Sequence, residues 1–323
     1  MTISDKPLVS VVIPCLNRAH FLVPTIESIL QQDYPYVECI VVDGGSTDGT
    51  IEILKRYGDR IRWVSEPDNG HADAINKGWK MSKGEILAWL NADDVYAVPD
   101  AIRQAVTYFQ TEGEIDVVYG DCGLIDEEGR VLSGISRPRP WDLEYSVRFC
   151  DHIIYQPSSF IRRRTLERIH WLDPSFTYGK DRDLWLRIGL HGKMKYAPVH
   201  FANERKCPGI SQHGIRVSES CVKLTENFFR NPGLPRPYRS PRFQRRALSN
   251  AYLVGSLYAW DGGRHVKRVI TYLCKSFSMD PLNLPHIFTK FHLYLVFSLL
   301  PDRCKRLLIR FLNCMRRSDS KCG

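Results

Sequence analysis

The stretch Leu8–Thr50, LVSVVIPCLNRAHFLVPTIESILQQDYPYVECIVVDGGSTDGT, contains a complete strand–helix–strand pattern. Its first apolar run, Leu8–Ile13, is rich in β-branched residues and ends at a proline, which is typical of a buried strand. Residues 21–32 then place apolar side chains at helical spacing, and Val37–Val42 is a second β-branched run. This order predicts two parallel strands joined by a covering helix.

The same alternation continues toward residue 109 and sets the fold class. Further strands are predicted at 61–65 and 85–90, and helices at 50–57, 72–81 and 101–109. Beyond them we expect a strand at 117–119, a hairpin turning at 126–129 and a helix at 181–190. The sequence therefore predicts an α/β fold with a mostly parallel central sheet flanked by helices.

Polar residues follow three of these predicted strands. Asn17 comes after the first, Asp43 after the second, and Asn91-Ala92-Asp93-Asp94 after the fourth. Open sheets of this kind bind ligands beyond the carboxyl ends of their strands, so we expect one shared pocket.

Asp93 and Asp94 are adjacent carboxylates, which repel each other unless a positive charge lies between them. A divalent cation held by one or two carboxylates, phosphates and water is the usual pattern in nucleotide diphosphate chemistry. The alternative is a pair of acids in a loop or at a helix start, favoured by the helix dipole.

The segment Asp43–Thr50 is rich in glycine, which lets a backbone approach a ligand. An ordinary turn in which Asp48 caps the next helix is the alternative. No G-K-[ST] follows, so it is not a phosphate-binding P-loop, and it does not match the dinucleotide pattern G-x-G-x-x-G.

Asp181 and Asp183 stand at the start of the predicted helix 181–190. Either could be its N-cap. The other reading is a general base, which would take a proton from an acceptor hydroxyl beside a metal–nucleotide site. A neighbouring Lys180 or Arg182 would lower the pKa of such a base if it lay close.

The 323 residues are 43% hydrophobic and 25% charged, which excludes a wholly disordered chain, a fibre or a multispan membrane protein. Charge is uneven along the chain. From residue 225 onward there are 18 Lys and Arg against 5 Asp and Glu, whereas the part before it is mildly acidic. Such asymmetry indicates an anionic partner, either nucleic acid or a membrane surface.

The basic rear begins with a proline-rich linker at 231–241, and two helices are predicted at 243–260 and 263–277. The apolar stretches 291–300 and 307–311 are shorter than a bilayer span. They suit an interfacial helix on an anionic leaflet, or equally a buried helix packed on the rest of the protein. Nucleic acid is not favoured, because no recognised binding motif accompanies the basic residues.

Ten cysteines are scattered singly with no C-x-x-C pair, and the first residues do not resemble a signal peptide. We therefore expect a cytoplasmic protein, or one held peripherally on the inner face of the plasma membrane.

Taken in order, the run from Leu8 to Thr50 and the later run NGHADAINKGWKMSKGEILAWLNADD resemble family 2 glycosyltransferases with a GT-A fold. The resemblance covers about residues 7–215 and is strongest with bacterial enzymes that assemble polysaccharides and cell-surface glycans. It implies inverting, metal-dependent transfer of a sugar from a nucleotide diphosphate to an acceptor hydroxyl, with Mg²⁺ or Mn²⁺ as cofactor.

The resemblance also implies roles for individual residues. Pro14 and Asn17 would line the base pocket, Asp43 would contact the base, and Glu66 would border the nucleoside. Asn91 and Asp93 would also bind the donor, with Asp93 and Asp94 at the metal. Asp181 would be the catalytic base, and Gln156-Pro157-Ser158-Ser159 resembles an acceptor-side segment.

Three departures from the family pattern stand in this sequence. Asn91 replaces the first acid of D-x-D, Lys180 replaces a Glu before Asp181, and Cys207 stands where many relatives have a histidine. Either the histidine contact is lost, or one of Arg205, Lys206 and His213 substitutes for it.

The resemblance divides the chain into a GT-A catalytic domain at 1–222, a basic linker at 223–242 and a basic helical extension at 243–323. The catalytic domain would have a nucleotide-binding half at about 7–120 and an acceptor half at about 121–222. We expect a transferase acting from a UDP-linked sugar on a lipid-linked or growing surface glycan. The alternatives are an inactive GT-A domain serving as a scaffold and a sugar nucleotidyltransferase.

Overall fold

The computed structural model describes residues 3–151, 153–206, 214–263 and 265–280. Within them, nine strands form one sheet, accompanied by ten α-helices. The strands are β1 (Val9–Cys15), β2 (Val37–Asp43), β3 (Arg62–Ser65), β4 (Ile86–Trp89), β5 (Val95–Tyr96), β6 (Val117–Ile125), β7 (Val131–Ser136), β8 (Ser159–Arg162) and β9 (Met194–Arg205). The helices are α1 (Ala19–Leu30), α2 (Thr50–Tyr57), α3 (His71–Met81), α4 (Ala101–Thr111), α5 (Leu143–Phe149), α6 (Arg163–Arg168), α7 (Lys180–Gly189), α8 (Gly214–Arg230), α9 (Pro241–Asp261) and α10 (Val266–Met279).

The sheet is mixed. Its order is β3-β2-β1-β4-β8-β6-β9-β5, with β7 paired to β6. Strands β3, β2, β1 and β4 run parallel to one another, and β6 pairs with β9 in parallel. The pairs β4–β8, β6–β8, β5–β9 and β6–β7 are antiparallel. The predicted α/β class is confirmed. The parallel part of the sheet is mainly β1–β4, which lie in the segment where the sequence predicts alternating strands and helices.

Both faces of the parallel strands are covered, as their uninterrupted apolar runs require. All seven residues of β1 are buried. On one face lie α1 and α4, whose Leu22, Ile26 and Phe109 join the core. On the other lie α3 and α7, where Trp79 meets Trp89 edge-on at a centroid distance of 5.2 Å.

A glycine sets the approach of α3 to the sheet. A Cβ atom at Gly78 would lie 2.4 Å from a methyl carbon of Val12 in β1. Helix α3 can therefore pack directly on the strand, which places its N-terminus at the edge where the strand-end loops lie.

The predicted linker differs from the structure at its N-terminal end. Residues 223–230 are the last two turns of α8, because Cys221, Leu224, Thr225 and Phe228 repeat at helical spacing and are buried. The boundary expected after residue 222 thus falls inside a helix, and the proline-rich stretch begins at Asn231. The two predicted rear helices are confirmed as α9 and α10.

Helix α9 packs against both α8 and α5. Cys150, Cys221, Ala251, Tyr252 and Tyr272 form a buried cluster between these helices and α10. At its edge, Asn250 donates a hydrogen bond to the carbonyl oxygen of Arg148 at 2.6 Å. The rear helices are therefore in contact with the sheet-bearing part of the chain.

In the part of the chain that the structure describes, no helix has both the length and the apolar composition needed to cross a bilayer. The apolar stretches 291–300 and 307–311 lie outside the described residues.

Candidate active site

The loops after β1 and β2 are joined by hydrogen bonds. The backbone N–H of Asn17 donates to the hydroxyl oxygen of Ser46 at 2.7 Å, and Asn17 Oδ1 accepts from the N–H of Thr47 at 2.9 Å. Asn17 has a positive φ of 53°, a conformation that asparagine tolerates better than most residues. The predicted meeting of these two strand ends is therefore observed. Pro14, three residues earlier, is buried within β1.

Asp43, the last residue of β2, is fully buried and organises its loop. Its Oδ2 accepts hydrogen bonds from the N–H groups of Gly45 and Ser46, both at 3.0 Å, and from the hydroxyl of Ser65 at 2.6 Å. Its Oδ1 accepts from the hydroxyl of Ser46. Because the carboxylate is saturated by its own loop and by β3, it fixes the loop after β2. The loops after β1, β2 and β3, where the sequence predicts nucleotide binding, are called the nucleotide-side cleft below. A contact with the base stays a prediction.

Two acidic residues, Glu66 and Asp68, follow β3 and lie next to the Asp43 loop. The carboxylate of Glu66 pairs with the ammonium group of Lys77 at 2.7 Å, and its N–H donates to the carbonyl oxygen of Asp43 at 3.0 Å. Asp68 lies over Gly44, where a Cβ atom would be 2.7 Å from Asp68 Oδ2. Glu66 is among the residues predicted from the sequence and Asp68 is not, although both follow the same strand.

Asp94 is buried in the loop after β4. Its Oδ1 accepts from the N–H of Arg205 at 3.0 Å, and its Oδ2 accepts from Asn91 Nδ2 at 2.8 Å. Burial and the negative charge of the adjacent Asp93 raise the pKa of Asp94 well above its usual value. Asn91 therefore holds the Asp94 carboxylate by a neutral amide, where an acid would have added a third negative charge.

Arg205, at the end of β9, braces this loop. Its Nε donates to the carbonyl oxygen of Asp93 at 2.9 Å, and its Nη1 donates to those of Asp126 and Glu127 at 2.6 and 2.8 Å. The guanidinium is thus committed to three backbone carbonyls, so it joins the Asp93–Asp94 loop to the β6–β7 turn. Cys207 and His213 lie outside the described residues.

The Asp93–Asp94 pair fits a divalent cation that is shared with a diphosphate. No cluster of three or more metal-ligating side chains stands ready within the described ranges. A Mg²⁺ or Mn²⁺ ion bound with nucleotide needs only one or two carboxylates, the rest of its shell being phosphate and water. Burial first, and the charge of Asp93 second, raise the pKa of Asp94, and a cation would offset the second of these effects.

A cavity of about 410 Å³ opens beside this loop. Its lining comes from six separate parts of the chain and comprises His71, Trp89, Asn91, Ile154, Tyr155, Gln156, Pro157, Lys180, Asp181, Glu204 and Tyr258. Asn91 is central, since its Oδ1 lies 3.0 Å from His71 Nε2 and its Nδ2 lies 3.4 Å from Gln156 Oε1. Gln156 in turn donates to the carbonyl oxygen of Trp89 at 2.6 Å.

Asp181 lies in the first turn of α7 and lines the cavity. The N-cap of this helix is Gly179, with a φ of 72° and no side-chain cap. The alternative in which Asp181 or Asp183 caps the helix is therefore wrong. Asp183 is buried and pairs with the guanidinium of Arg187 at 2.7 Å. Of the two acids, Asp181 is therefore the one placed to meet a ligand.

Glu204 connects the acid pair with Asp181. Burial raises the pKa of Glu204, and the charges of Asp181 and Asp93 raise it further. Asp181, Glu204 and Asn91 line the same cavity, so the candidate base and the loop that carries the acid pair both border it.

Two nitrogen bases share the cavity. Desolvation lowers the pKa of Lys180, with the charge of Asp181 opposing the change. Desolvation lowers the pKa of His71, as does the positive charge of Lys180. The residue is nonetheless exposed, and its ring borders the cavity.

Several lining residues were not predicted from the sequence. His71 and Trp89 lie in the same family-like run of sequence as Asn91, and this shared run is the one local sign that they belong to the site. Tyr258 lies in α9, far along the chain, and no local pattern connects it with the other lining residues.

The mixed sheet flanked by helices matches the GT-A fold of glycosyltransferases, as comparison with solved structures shows. The structure matches that of S. aureus TarS 1–349 in complex with UDP-GlcNAc with a TM-score of 0.64 and 15% identity, over 84% of this chain and 81% of that one. It matches the mannosyltransferase PcManGT from Pyrobaculum calidifontis, in complex with GDP-Man and Mn²⁺, with a TM-score of 0.57 and 20% identity, over 87% and 89%. These likenesses show the fold.

Residues 10–170 match the model of glycosyl transferase family 2 and form a domain of that family. An uncharacterised glycosyltransferase of Rickettsia typhi is 32% identical over 204 residues, which are 62% of each chain. Chondroitin synthase of Escherichia coli is 27% identical over 198 residues, covering 60% of this chain and 28% of that protein. The chain thus spans less than two thirds of the length of these relatives.

Proposed function

We propose that the protein transfers a sugar from a nucleotide diphosphate sugar to an acceptor hydroxyl, with inversion at the anomeric carbon. One observation carries the proposal: Asp181 and Asn91, which are far apart in sequence, line one cavity together with Glu204, and Asn91 holds the carboxylate of Asp94 by a hydrogen bond of 2.8 Å. The fold's neighbours bound to UDP-GlcNAc and to GDP-Man support a nucleotide-sugar donor.

The nucleotide would lie along the loops after β1, β2 and β3, over the loop fixed by Asp43, with Asn17 and Glu66 at its edges. A divalent cation, held by Asp93 and Asp94 when bound, would offset negative charge on the diphosphate. Asn91 positions the Asp94 carboxylate through a hydrogen bond of 2.8 Å.

Asp181 would accept the proton of the acceptor hydroxyl as the hydroxyl oxygen bonds to the anomeric carbon. The bond from that carbon to the diphosphate oxygen breaks on the opposite side, so the configuration inverts. Lys180, a cation in the same cavity, would offset charge on the departing diphosphate.

We extend the proposal to a UDP-linked donor and to an acceptor that is a lipid-linked or growing surface glycan. Support for the glycan comes from chondroitin synthase among the relatives and from the basic composition after residue 225. That composition also supports a peripheral position on the inner face of the plasma membrane.

The test is a panel of UDP-, GDP- and dTDP-sugars incubated with the full chain and Mn²⁺ or EDTA. We expect one donor to be cleaved with Mn²⁺ only, and Asp93→Asn to abolish this. The matched control is Asp100→Asn, an acid paired with Arg103 outside the cavity, which should leave cleavage unchanged. Nucleotide binding without cleavage of any donor would favour an inactive scaffold instead.

A further inference from the structure

One wall of the cavity is formed by α9, which lies outside the family 2 domain at 10–170. Tyr258 of that helix lines the cavity together with Asp181. The adjoining surface is apolar or aromatic, since Ile154, Tyr155 and Pro157 form it. The cavity therefore has a wall of carboxylates and amides and another with aromatic rings.

The position of Tyr258 is fixed by close packing. A Cβ atom at Gly214, the first residue of α8, would lie 2.2 Å from the carbonyl oxygen of Tyr258. The same oxygen accepts a hydrogen bond from the N–H of Gly262 at 3.0 Å. Together with the bond from Asn250 to Arg148, these contacts hold the last turns of α9 against the sheet-bearing part.

Tyr258 lines the same cavity as the candidate base Asp181, whereas Asp93 and Asp94 do not line it. Burial raises the pKa of Tyr258 to about 12. The phenol therefore stays protonated near pH 7 and can donate a hydrogen bond to a ligand in this cavity.

We propose that Tyr258, with Tyr155, binds the sugar ring of the acceptor and presents its hydroxyl to Asp181. A pyranose has a face of C–H groups that packs on an aromatic ring, and an edge of hydroxyls that bonds to polar groups. The two walls of the cavity offer these two surfaces. The helical extension is thus a part of the acceptor site.

This inference rests on the proposed function, and the stereochemistry assigns the ring to the acceptor. In an inverting displacement the attacking oxygen approaches opposite to the leaving diphosphate. The proposed function assigns the diphosphate to Asp93 and Asp94, which do not line the cavity, whereas Asp181 and Tyr258 do, so the acceptor enters through this cavity.

The experiment measures binding of octyl and p-nitrophenyl glycosides of glucose, galactose, mannose and N-acetylglucosamine. The full chain is used with saturating UDP and Mn²⁺, and binding is followed by calorimetry and ligand-observed NMR. We expect at least one glycoside to bind. Tyr258→Ala should raise its Kd about tenfold or more, as for a buried aromatic anchor. Tyr258→Phe, which keeps the ring, should raise it about 2- to 10-fold by removing one hydrogen bond.

The control is Tyr252→Phe, in the same helix but packed on Tyr272 within the buried cluster. It should leave the Kd unchanged. UDP affinity should be the same in all variants, and thermal unfolding of Tyr258→Phe should match that of the wild type.

An unchanged Kd in Tyr258→Phe and Tyr258→Ala, or a wild type that binds none of the glycosides, would overturn the inference. An equal loss of UDP affinity would also overturn it, by placing Tyr258 at the donor. Failure of the proposed function is read separately, because donor cleavage is not needed for glycoside binding.

Discussion

The nucleotide-side cleft and the cavity beside it are built in different ways. The cleft is made by successive loops, and its hydrogen bonds join residues about one strand–helix unit apart, such as Asn17 to Ser46 and Asp43 to Ser65. The cavity draws on residues from His71 to Tyr258. A loop that follows a strand is placed by its own unit, whereas a cavity wall from a distant helix depends on how the whole chain packs.

The largest expected effect comes from removing the candidate base in the cavity, a change that should leave the nucleotide-side cleft intact. Asp181→Asn should lower kcat about 10²- to 10⁴-fold, because the amide cannot take the acceptor proton. The Kd for UDP with Mn²⁺ should not change. Steady-state transfer and calorimetry measure the two quantities.

Asp183→Asn is the matched control on the same helix. Asp183 lines a different cleft, between α7 and α8, and pairs with Arg187. Its loss should lower stability with little effect on kcat. Undiminished transfer by Asp181→Asn would remove Asp181 as the base.

The second effect comes from disrupting the hydrogen bonds that hold the nucleotide-side cleft together. Asp43→Ala removes a buried carboxylate that accepts four hydrogen bonds, and it leaves the loop N–H groups without partners. The free energy of unfolding should fall by about 3 kcal/mol, measured by urea denaturation. Nucleotide affinity should fall as well.

An exposed acid offers the comparison for this change. Asp59→Ala, in the single 3₁₀ turn after α2, should alter unfolding by less than about 0.5 kcal/mol. If Asp43→Ala is equally mild, the loop does not depend on the buried carboxylate.

The third effect tests the link between the two regions. Arg205→Lys cannot reach three carbonyls at once, so the Asp93–Asp94 loop should loosen. We expect a loss of about 1–2 kcal/mol in unfolding free energy. The Mn²⁺ concentration needed for half-maximal donor cleavage should rise, while UDP affinity without metal stays constant.

Lys206→Met, one residue further and exposed, is the control for the loss of a cation. A normal Mn²⁺ requirement in Arg205→Lys would show that the brace is not needed to position the acids.

The smallest effect concerns Gly44. Its Cβ would meet only the end of the Asp68 side chain, which can rotate away. Gly44→Ala should cost less than about 1 kcal/mol in stability, far less than Gly78→Ala, whose Cβ would strike Val12 in the core. Thermal unfolding of both variants makes the comparison, and equal losses would contradict it.

The sequence predicted the parts that local patterns control. The β-branched runs and helical spacings through residue 109 located β1–β4 and α1–α4, and the strand-end rule brought Asn17 to the Asp43 loop. Strands β8 and β9 do not show in the local pattern, since their pairing depends on partners far along the chain. The end of α8 was taken for linker because its basic, polar outer face hid the buried positions Leu224, Thr225 and Phe228.

The site divides in the same way. Asp93, Asp94 and Asp181 are selected by their motifs, and the structure shows Asp181 and Asn91, of the same loop as the acid pair, lining one cavity. The role of Arg205 as a brace and the wall formed by Tyr258 depend on packing and burial. Those properties exist only once distant segments have met.

The bond from the backbone of Arg205 to Asp94 has a consequence for synthesis. The ribosome releases the Asp93–Asp94 loop more than a hundred residues before the strand that completes it. A nascent chain can therefore form β1–β4 and still hold the two acids without their brace. The cation site is finished late, when β9 is delivered, and the wall of α9 arrives later still.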